Sequence, residues 1–562
     1  MSEEHTAASA LTPLDFTPRQ FRVALACVWL AVLATQATVF VRSKISVQDA
    51  CGAYLPLADA AARGDWANAW SPKFPPAYPI LAGLAARLFP NAAYPAELGG
   101  TLVSAAAMHV VLLSVLGICL KLFSRRVALV AVALTGLNPR LAQLSANVWL
   151  EPLFAADLAL LALLLVLSRE RLRWWAVVLV AACAGAAPLI RAEGILAPPV
   201  AAVCLAVCHL RRSFRSVAAW AGACVLGAAV TAAVWTPQLL RVHDVTGLWL
   251  LDVRAASLLG AERRVPQEVW RSMPIQAEGL GATIESIPRE TWRRPDDTPM
   301  EWALNNAQSL LAAWNPLVVV LACVGLWQRR PLARQGRAEA CLGLLVAMQL
   351  LATGLAHDWQ ARYLAVVAPL VTIEGAVGLV AVVEQLRARA IHRGKSVWHD
   401  TWTTRLGWAQ MLLLAGLLAV CAGFAIRRAQ ITRVDRRYAG EFLLRALGPD
   451  RRIVSKSPDT VYYARGKMIP IPEWRKTVLT AGQLRDLLGE SRADLLVVDV
   501  RHQQENPDHR WCPALWQGLQ EGRFDSARIV LKLPAGSDRM AVLDARKLAE
   551  LLAEEPATGP AQ

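Results

Sequence analysis

The sequence predicts an α-helical polytopic membrane protein of about eleven transmembrane helices, followed by a C-terminal extramembrane α/β domain. Three observations carry this prediction. The 562 residues are 55% hydrophobic, and the apolar residues gather in blocks near the ~20 residues that cross ~30 Å of hydrocarbon. Arginine clusters recur in alternate gaps between those blocks. The last ~130 residues then change character, with shorter apolar runs, more charge and alternating patterns, as in an independently folded domain of common size.

The apolar blocks run Phe21 to Val41, Ala96 to Leu120, Val127 to Gln143, Leu150 to Leu167, Trp174 to Ile190, Ile195 to Cys208, Val217 to Leu240, Leu304 to Trp327, Ala338 to Leu355, Leu364 to Val383 and Leu406 to Ile426. Several are short, which leaves room for merged or re-entrant segments. A net charge of +15 would suggest a nucleic-acid partner in a soluble chain, but here the positive residues act as topology signals and no nucleic acid is implied. Lys121, Arg125 and Arg126; Arg169, Arg171 and Arg173; Arg211, Arg212 and Arg215; Arg329, Arg330, Arg334 and Arg337; and Arg387, Arg389, Arg393 and Lys395 fall in alternate loops, which the positive-inside rule assigns to the cytoplasm.

This alternation gives a cytoplasmic tail at 1–20 and a membrane domain at 21–428 with outside loops 42–95 and 241–303. The α/β domain at 429–562 then lies outside the plasma (inner) membrane, in the periplasm or its extracellular equivalent. No cleavable signal peptide is expected, because the first twenty residues are polar and the following apolar run is long enough to span. Most of the eleven cysteines lie inside spans, where a thiol behaves as a small hydrophobe. Cys51 and Cys512 are the pair expected outside, with nothing in the sequence to favour a bond between them. His502 and His509 read as part of a solvated loop rather than as metal ligands.

In the first outside loop, Tyr54, Leu57, Ala58 and Ala61 recur at helical spacing opposite Asp59 and Arg63, the pattern of a helix lying in the membrane interface. Prolines at 72, 75, 76 and 79 break it, and a second short interfacial helix runs from Ile80 to Phe89. The second outside loop is too polar to span and too long for a mere connector, which makes it a candidate substrate-binding loop. In the C-terminal domain the expected strands are RRIVS, KMIPI, DLLVVDV and ARIVLKL, with helices near Arg436 to Ala446, Ala481 to Leu488 and Asp544 to Leu552.

The predicted topology puts a set of polar residues at outer membrane edges: Asp49 after the first span, Glu151 opening the fourth, Arg191 and Glu193 between the fifth and sixth, and Asp358, Arg362 and Tyr363 before the tenth. Each taken singly is also what a helix end carries, since polar residues are cheap at headgroup level. Asp49 and Glu151 lie closest to apolar runs, where an ionisable group is a functional hypothesis by default.

The chain resembles the membrane glycosyltransferases of the C superfold (GT-C), the group that includes protein O-mannosyltransferases and the transferase that adds aminoarabinose to lipid A. The strongest element is the first outside loop: an acid soon after span one, a Tyr-containing helix ending in Gly-Asp (YLPLADAAARGDW) and a proline-rich FPPAYPIL. Weaker elements are NVWLEPLF, LIRAEGIL, ARYLAVVAPLVTIEGAVGL and PDTVYYARGK. The chain departs from the pattern in pairing Gln48 with Asp49 where many members have two acids, and no histidine precedes the proline pair.

The resemblance implies an inverting transfer of a sugar from a polyprenyl-phosphate donor to a lipid, glycan or protein acceptor. Asp49 would then be the general base, and Arg191 and Arg362 the cations that offset the developing phosphate charge. Tyr54, Glu193 and Tyr363 are expected to bind substrate. Glu151 has three roles open to it: orienting groups around Asp49, binding sugar hydroxyls or holding a divalent cation. Two readings compete, a transporter or flippase of lipid-linked intermediates and a non-catalytic assembly protein. No Walker or Rossmann fingerprint is present.

Overall fold

The computed structural model describes residues 16–43, 50–170, 172–209, 214–251, 299–328, 335–355, 360–392, 434–471, 479–500, 512–529 and 540–553, with isolated positions such as 253, 274 and 275. Asp49, Gln48, Asp358, His502, His509, most of the second outside loop and nearly all of the block Leu406 to Ile426 lie outside the described residues. The chain divides into two compact units. One comprises Met1–Val41, Thr101–Leu239 and Arg294–Ala429; the other comprises Arg42–Gly100, Leu240–Arg293 and Gln430–Gln562. Compactness therefore groups the C-terminal segment with residues 42–100 and 240–293, the loops expected outside, where the sequence predicts a separate domain at 429–562.

The first unit is a bundle of apolar helices. Among the described residues seven helices are long and apolar enough to cross a membrane, or nine if each of two bent pairs forms one span. The protein is thus multi-pass, and among the described residues the helices fall on ten of the eleven blocks the sequence predicts, nearly all of the block Leu406 to Ile426 lying outside them. Trp174–Ile190 is apolar but only 17 residues long. Two other blocks are broken, and both breaks fall at an Asn-Pro pair. Arg125–Gly136 and Pro139–Ser145 meet at 62°, where the Asn138 side chain accepts from the N–H groups of Arg140 and Leu141 and so caps the second helix. Asn306–Trp314 and Pro316–Trp327 meet at 83° across Asn315, whose φ is 66°.

Small residues let helices of this unit approach backbone to backbone. A Cβ added at Gly325 would lie 2.6 Å from Glu374 O and 3.0 Å from Gly378 N, so Pro316–Gln328 and Ala368–His392 pack through facing glycines. Polar bridges add to the packing, as where the hydroxyls of Thr135 and Thr372 meet at 2.5 Å.

The second unit holds residues 42–100 and an α/β layer. Helix Leu55–Arg63 packs on helix Ala77–Ala86, so closely that a Cβ at Gly83 would lie 2.5 Å from Ala58 O. Arg87 donates to the carbonyls of Ala61 and Ala62, satisfying the end of the first helix, and Gly64 turns the chain at φ 80°. In the C-terminal segment, β1 (Arg452–Ser455), β2 (Lys467–Pro470), β3 (Leu495–Asp499), β4 (Arg528–Ile529) and β5 (Met540–Asp544) form one sheet in the order β2-β1-β3-β5-β4. β1 is parallel to β2 and β3, while β5 is antiparallel to β3 and β4.

Helices Val434–Leu447, Ala481–Glu490 and Ala545–Ala553 match the expected ones within two residues. Strand β5 and helices Pro458–Tyr463 and Pro513–Gln520 were not expected. The apolar core under the sheet is built on Val454, Leu484, Leu496, Leu543 and Leu548, and it includes Cys512. Cys51 and Cys512 are both buried thiols, with no disulfide between them.

Candidate functional site

Three breaks at the ends of apolar helices supply the site in the first unit. Glu151 opens helix Glu151–Ser168, with proline next to it; the acid suits the positive end of the helix dipole. Arg191 follows helix Trp174–Ile190 in extended conformation (φ −148°), and the 3-10 turn Ala192–Leu196 after it carries Glu193. Arg362 and Tyr363 lie in the single turn Ala361–Leu364 that precedes helix Ala368–His392.

These five side chains converge. Arg191 donates from Nη1 to Glu151 Oε1 at 2.9 Å, and grips Glu193 through Nε at 3.1 Å and Nη2 at 2.6 Å. Arg362 Nε stands 3.8 Å from the same Glu151 oxygen, and its Nη2 donates to the Tyr363 hydroxyl at 2.7 Å. The Tyr363 ring lies under both guanidinium groups, at 4.1 Å for Arg191 and 4.7 Å for Arg362.

Glu151 is only 2% exposed, yet its charge is balanced by the guanidinium groups around it. Its second oxygen, Oε2, has no hydrogen-bond partner among the described residues. The network therefore presents one unsatisfied carboxylate oxygen beside two cations, an arrangement suited to holding a hydroxylated, negatively charged ligand.

Two members were not read from the sequence. Trp149 lies under Arg362 at 5.0 Å, and buried Gln349 donates to the Tyr363 carbonyl at 3.2 Å. Trp149 had a signal, the aromatic two residues ahead of Glu151 in NVWLEPLF; Gln349, inside an apolar helix, stands out only by its polarity. Tyr54 belongs to the second unit. It is 7% exposed, in a single π-helical turn Ala50–Tyr54, with Phe74 and Tyr78 edge-on at 5.8 and 6.0 Å. In the helix that follows, Leu55–Arg63, Asp59 is hydrogen-bonded to Tyr462.

For a divalent cation the described residues fit poorly. They contain no group of three His, Cys, Asp or Glu side chains arranged as ligands, and Glu151 and Glu193 are already neutralised by Arg191.

Residues 73–236 match the family described as dolichyl-phosphate-mannose-protein mannosyltransferase. The crystal structure of ArnT from Cupriavidus metallidurans in the apo state is similar at 16% identity and TM-score 0.55, over 94% of this chain and 99% of that one. The same protein bound to undecaprenyl phosphate aligns at 15% identity and TM-score 0.55, over 92% and 98%. The archaeal oligosaccharyltransferase AglB from Archaeoglobus fulgidus, in complex with an inhibitory peptide and a dolichol-phosphate, aligns at 13% identity and TM-score 0.53, over 94% of this chain and 75% of that one. No curated protein matches the chain in sequence.

The fold is that of the GT-C membrane glycosyltransferases. Within that class the chain is similar to the protein O-mannosyltransferases over residues 73–236 and to ArnT over nearly its whole length.

Proposed function

We propose that the chain is an integral membrane glycosyltransferase that moves a hexosyl or pentosyl unit from a polyprenyl-phosphate donor to a lipid, glycan or protein acceptor, with inversion, at the outer face of the plasma membrane. The observation that carries this reading is the network of buried Glu151 and Arg191 with half-buried Glu193, Arg362 and Tyr363 at the ends of apolar helices. Buried charge of this density is costly in an apolar bundle and fits a charged substrate better than a packing role. Support for the lipid donor comes from the similar structures, of which ArnT was solved with undecaprenyl phosphate and AglB with a dolichol-phosphate.

In the proposed reaction the Asp49 carboxylate takes the proton from the acceptor hydroxyl as its oxygen attacks the anomeric carbon. The bond from that carbon to the phosphate oxygen breaks, and polyprenyl phosphate leaves with the electron pair. Arg191 commits three N–H groups to two glutamates, so we assign it to orienting Glu151 and Glu193. Arg362, held over the Trp149 and Tyr363 rings, is assigned to the leaving phosphate. Glu151 keeps Arg362 in place and offers Oε2 to a sugar hydroxyl. Tyr54 anchors the turn that follows Asp49. The arginine-rich alternate loops support a C-terminal segment on the outer side, periplasmic or extracellular.

Proteoliposomes holding the protein and a labelled polyprenyl-phosphate sugar test the reading. Transfer predicts that the label leaves the donor for an acceptor and that unsubstituted polyprenyl phosphate accumulates. A flippase would move the donor across the bilayer with its sugar attached, and that outcome would overturn the assignment.

A further inference from the structure

The second unit contains a polar clasp that the proposed chemistry does not use. Its parts come from segments more than 300 residues apart in the chain. Tyr463, fully buried, donates its hydroxyl to Glu97 Oε1 at 2.7 Å and accepts at its carbonyl from the Tyr94 hydroxyl at 2.9 Å. Arg437 pairs with Glu97 at 3.4 Å while lying over the Tyr463 ring at 4.7 Å. One residue along, Tyr462 is hydrogen-bonded to Asp59 of the first outside loop.

A backbone relay runs beside the clasp. Met468 N–H, on the edge strand β2, donates to Ile275 O at 2.9 Å, and Ile275 N–H donates to Gly52 O at 3.3 Å. Ile275, from the second outside loop, thus joins the edge of the C-terminal sheet to the Ala50–Tyr54 turn. All five residues of that turn are buried, and helix Pro458–Tyr463 packs directly against it. Single π-helical turns are uncommon and concentrate at functional places.

Apolar side chains would hold two segments together at least as firmly as a Tyr-Glu-Arg set built on the buried Tyr463 with half-buried Glu97 and Arg437; the attested use of such polar groups is to fix one arrangement among several. We propose that the clasp and the Ile275 relay position the Ala50–Tyr54 turn for sugar transfer, with Tyr463, Glu97 and Arg437 as positioning residues that act through the C-terminal sheet. The proposal rests on the reading of Asp49, the residue immediately before the turn in sequence, as the base. The C-terminal segment then sets the register of the catalytic loop instead of contacting the reacting atoms.

Tyr463→Phe tests this, since it keeps the ring and removes only the hydroxyl bond to Glu97; Glu97→Gln is the second variant, chosen because it can still accept that bond. Amide hydrogen exchange on the full-length protein reads the turn without reference to activity. The proposal predicts roughly tenfold faster exchange at residues 50–54 and 275 in Tyr463→Phe, and a smaller change in Glu97→Gln. It also predicts that kcat for transfer falls ~10- to 100-fold in Tyr463→Phe while the donor KM holds, because misplacement near the reacting atoms acts on the chemical step. Unchanged exchange in the turn would overturn the coupling. Faster exchange with unchanged kcat, alongside an inactive Asp49→Asn, would overturn positioning while leaving the base reading intact. A fully active Asp49→Asn would sink the base reading and the positioning role together, and the exchange result would stand apart as a statement about the clasp alone.

Discussion

Replacing Arg191 by methionine keeps most of the side chain's volume and removes the cation that holds the buried Glu151 and the half-buried Glu193 carboxylates. Glu151 would retain Arg362 at 3.8 Å, and Glu193 would lose both its bonds to this guanidinium, at 2.6 and 3.1 Å. Removing one partner of a buried pair costs about 3–5 kcal/mol; the residual Arg362 contact puts the expected loss near the lower end, about 3 kcal/mol. Arg191→Lys should lose about half as much, because the charge stays while the two-point grip on Glu193 goes. Removing Glu193 charge as well, in Arg191→Met with Glu193→Gln, should recover about 1–2 kcal/mol, since the carboxylate that faced Arg191 is then neutral. Thermal unfolding of the purified protein in detergent, at one pH and salt, reads the series; the methionine variant should melt about 2–3 °C below wild type. A methionine variant melting with wild type, or a double variant melting below the single one, would refute the idea that these five side chains form one coupled network.

Burial raises the Asp59 carboxyl from its ordinary 3.8 to about 6, against smaller lowering effects of Arg63, the Tyr462 hydrogen bond and Arg465. The folded state therefore holds a proton that the unfolded chain releases. The resulting stability is complete below about pH 3.8 and is lost as pH rises through about 6, so Asp59→Asn should flatten the decline between pH 5 and 7.5 and be more stable than wild type at pH 7.5 by up to about 3 kcal/mol. Melting curves across that range check it, and parallel pH profiles for the two proteins would contradict it. Gly83→Val should cost about 1–3 kcal/mol by forcing apart helices Leu55–Arg63 and Ala77–Ala86, seen as faster proteolysis in the first outside loop with unchanged cleavage in the C-terminal sheet. Cysteines introduced one at a time in the exposed parts of the C-terminal segment should react with a membrane-impermeant maleimide from the outer face; labelling only after permeabilisation would reverse the topology and place Asp49 on the inner side.

The apolar blocks were legible because a span needs about 20 residues, a length that stands out in any chain. The two bends had a local sign that went unread, since Asn138-Pro139 and Asn315-Pro316 each sit inside an apolar block. Strand β5 was missed because RMAVLD runs straight into an amphipathic helix, and its strand character comes from pairing with β3. Helical spacing placed Asp59 opposite the apolar side of its helix; its hydrogen bond to Tyr462, some 400 residues away in sequence, is something no local pattern encodes. Glu151, Arg191, Glu193, Arg362 and Tyr363 could each be picked out as polar groups against apolar runs. That Arg191 faces two glutamates while Arg362 rests on Trp149 and Tyr363 is a tertiary fact, and it separates two arginines that look equivalent in sequence.

The central claim, that Asp49 is the base of a lipid-linked sugar transfer, is tested most directly by Asp49→Asn at matched expression in membranes. Asparagine keeps the shape and removes the proton acceptor. Transfer from a polyprenyl-phosphate sugar should then fall ~10²- to 10⁴-fold, the usual loss on removing a general base, while melting stays close to wild type. Undiminished turnover in Asp49→Asn would contradict the account.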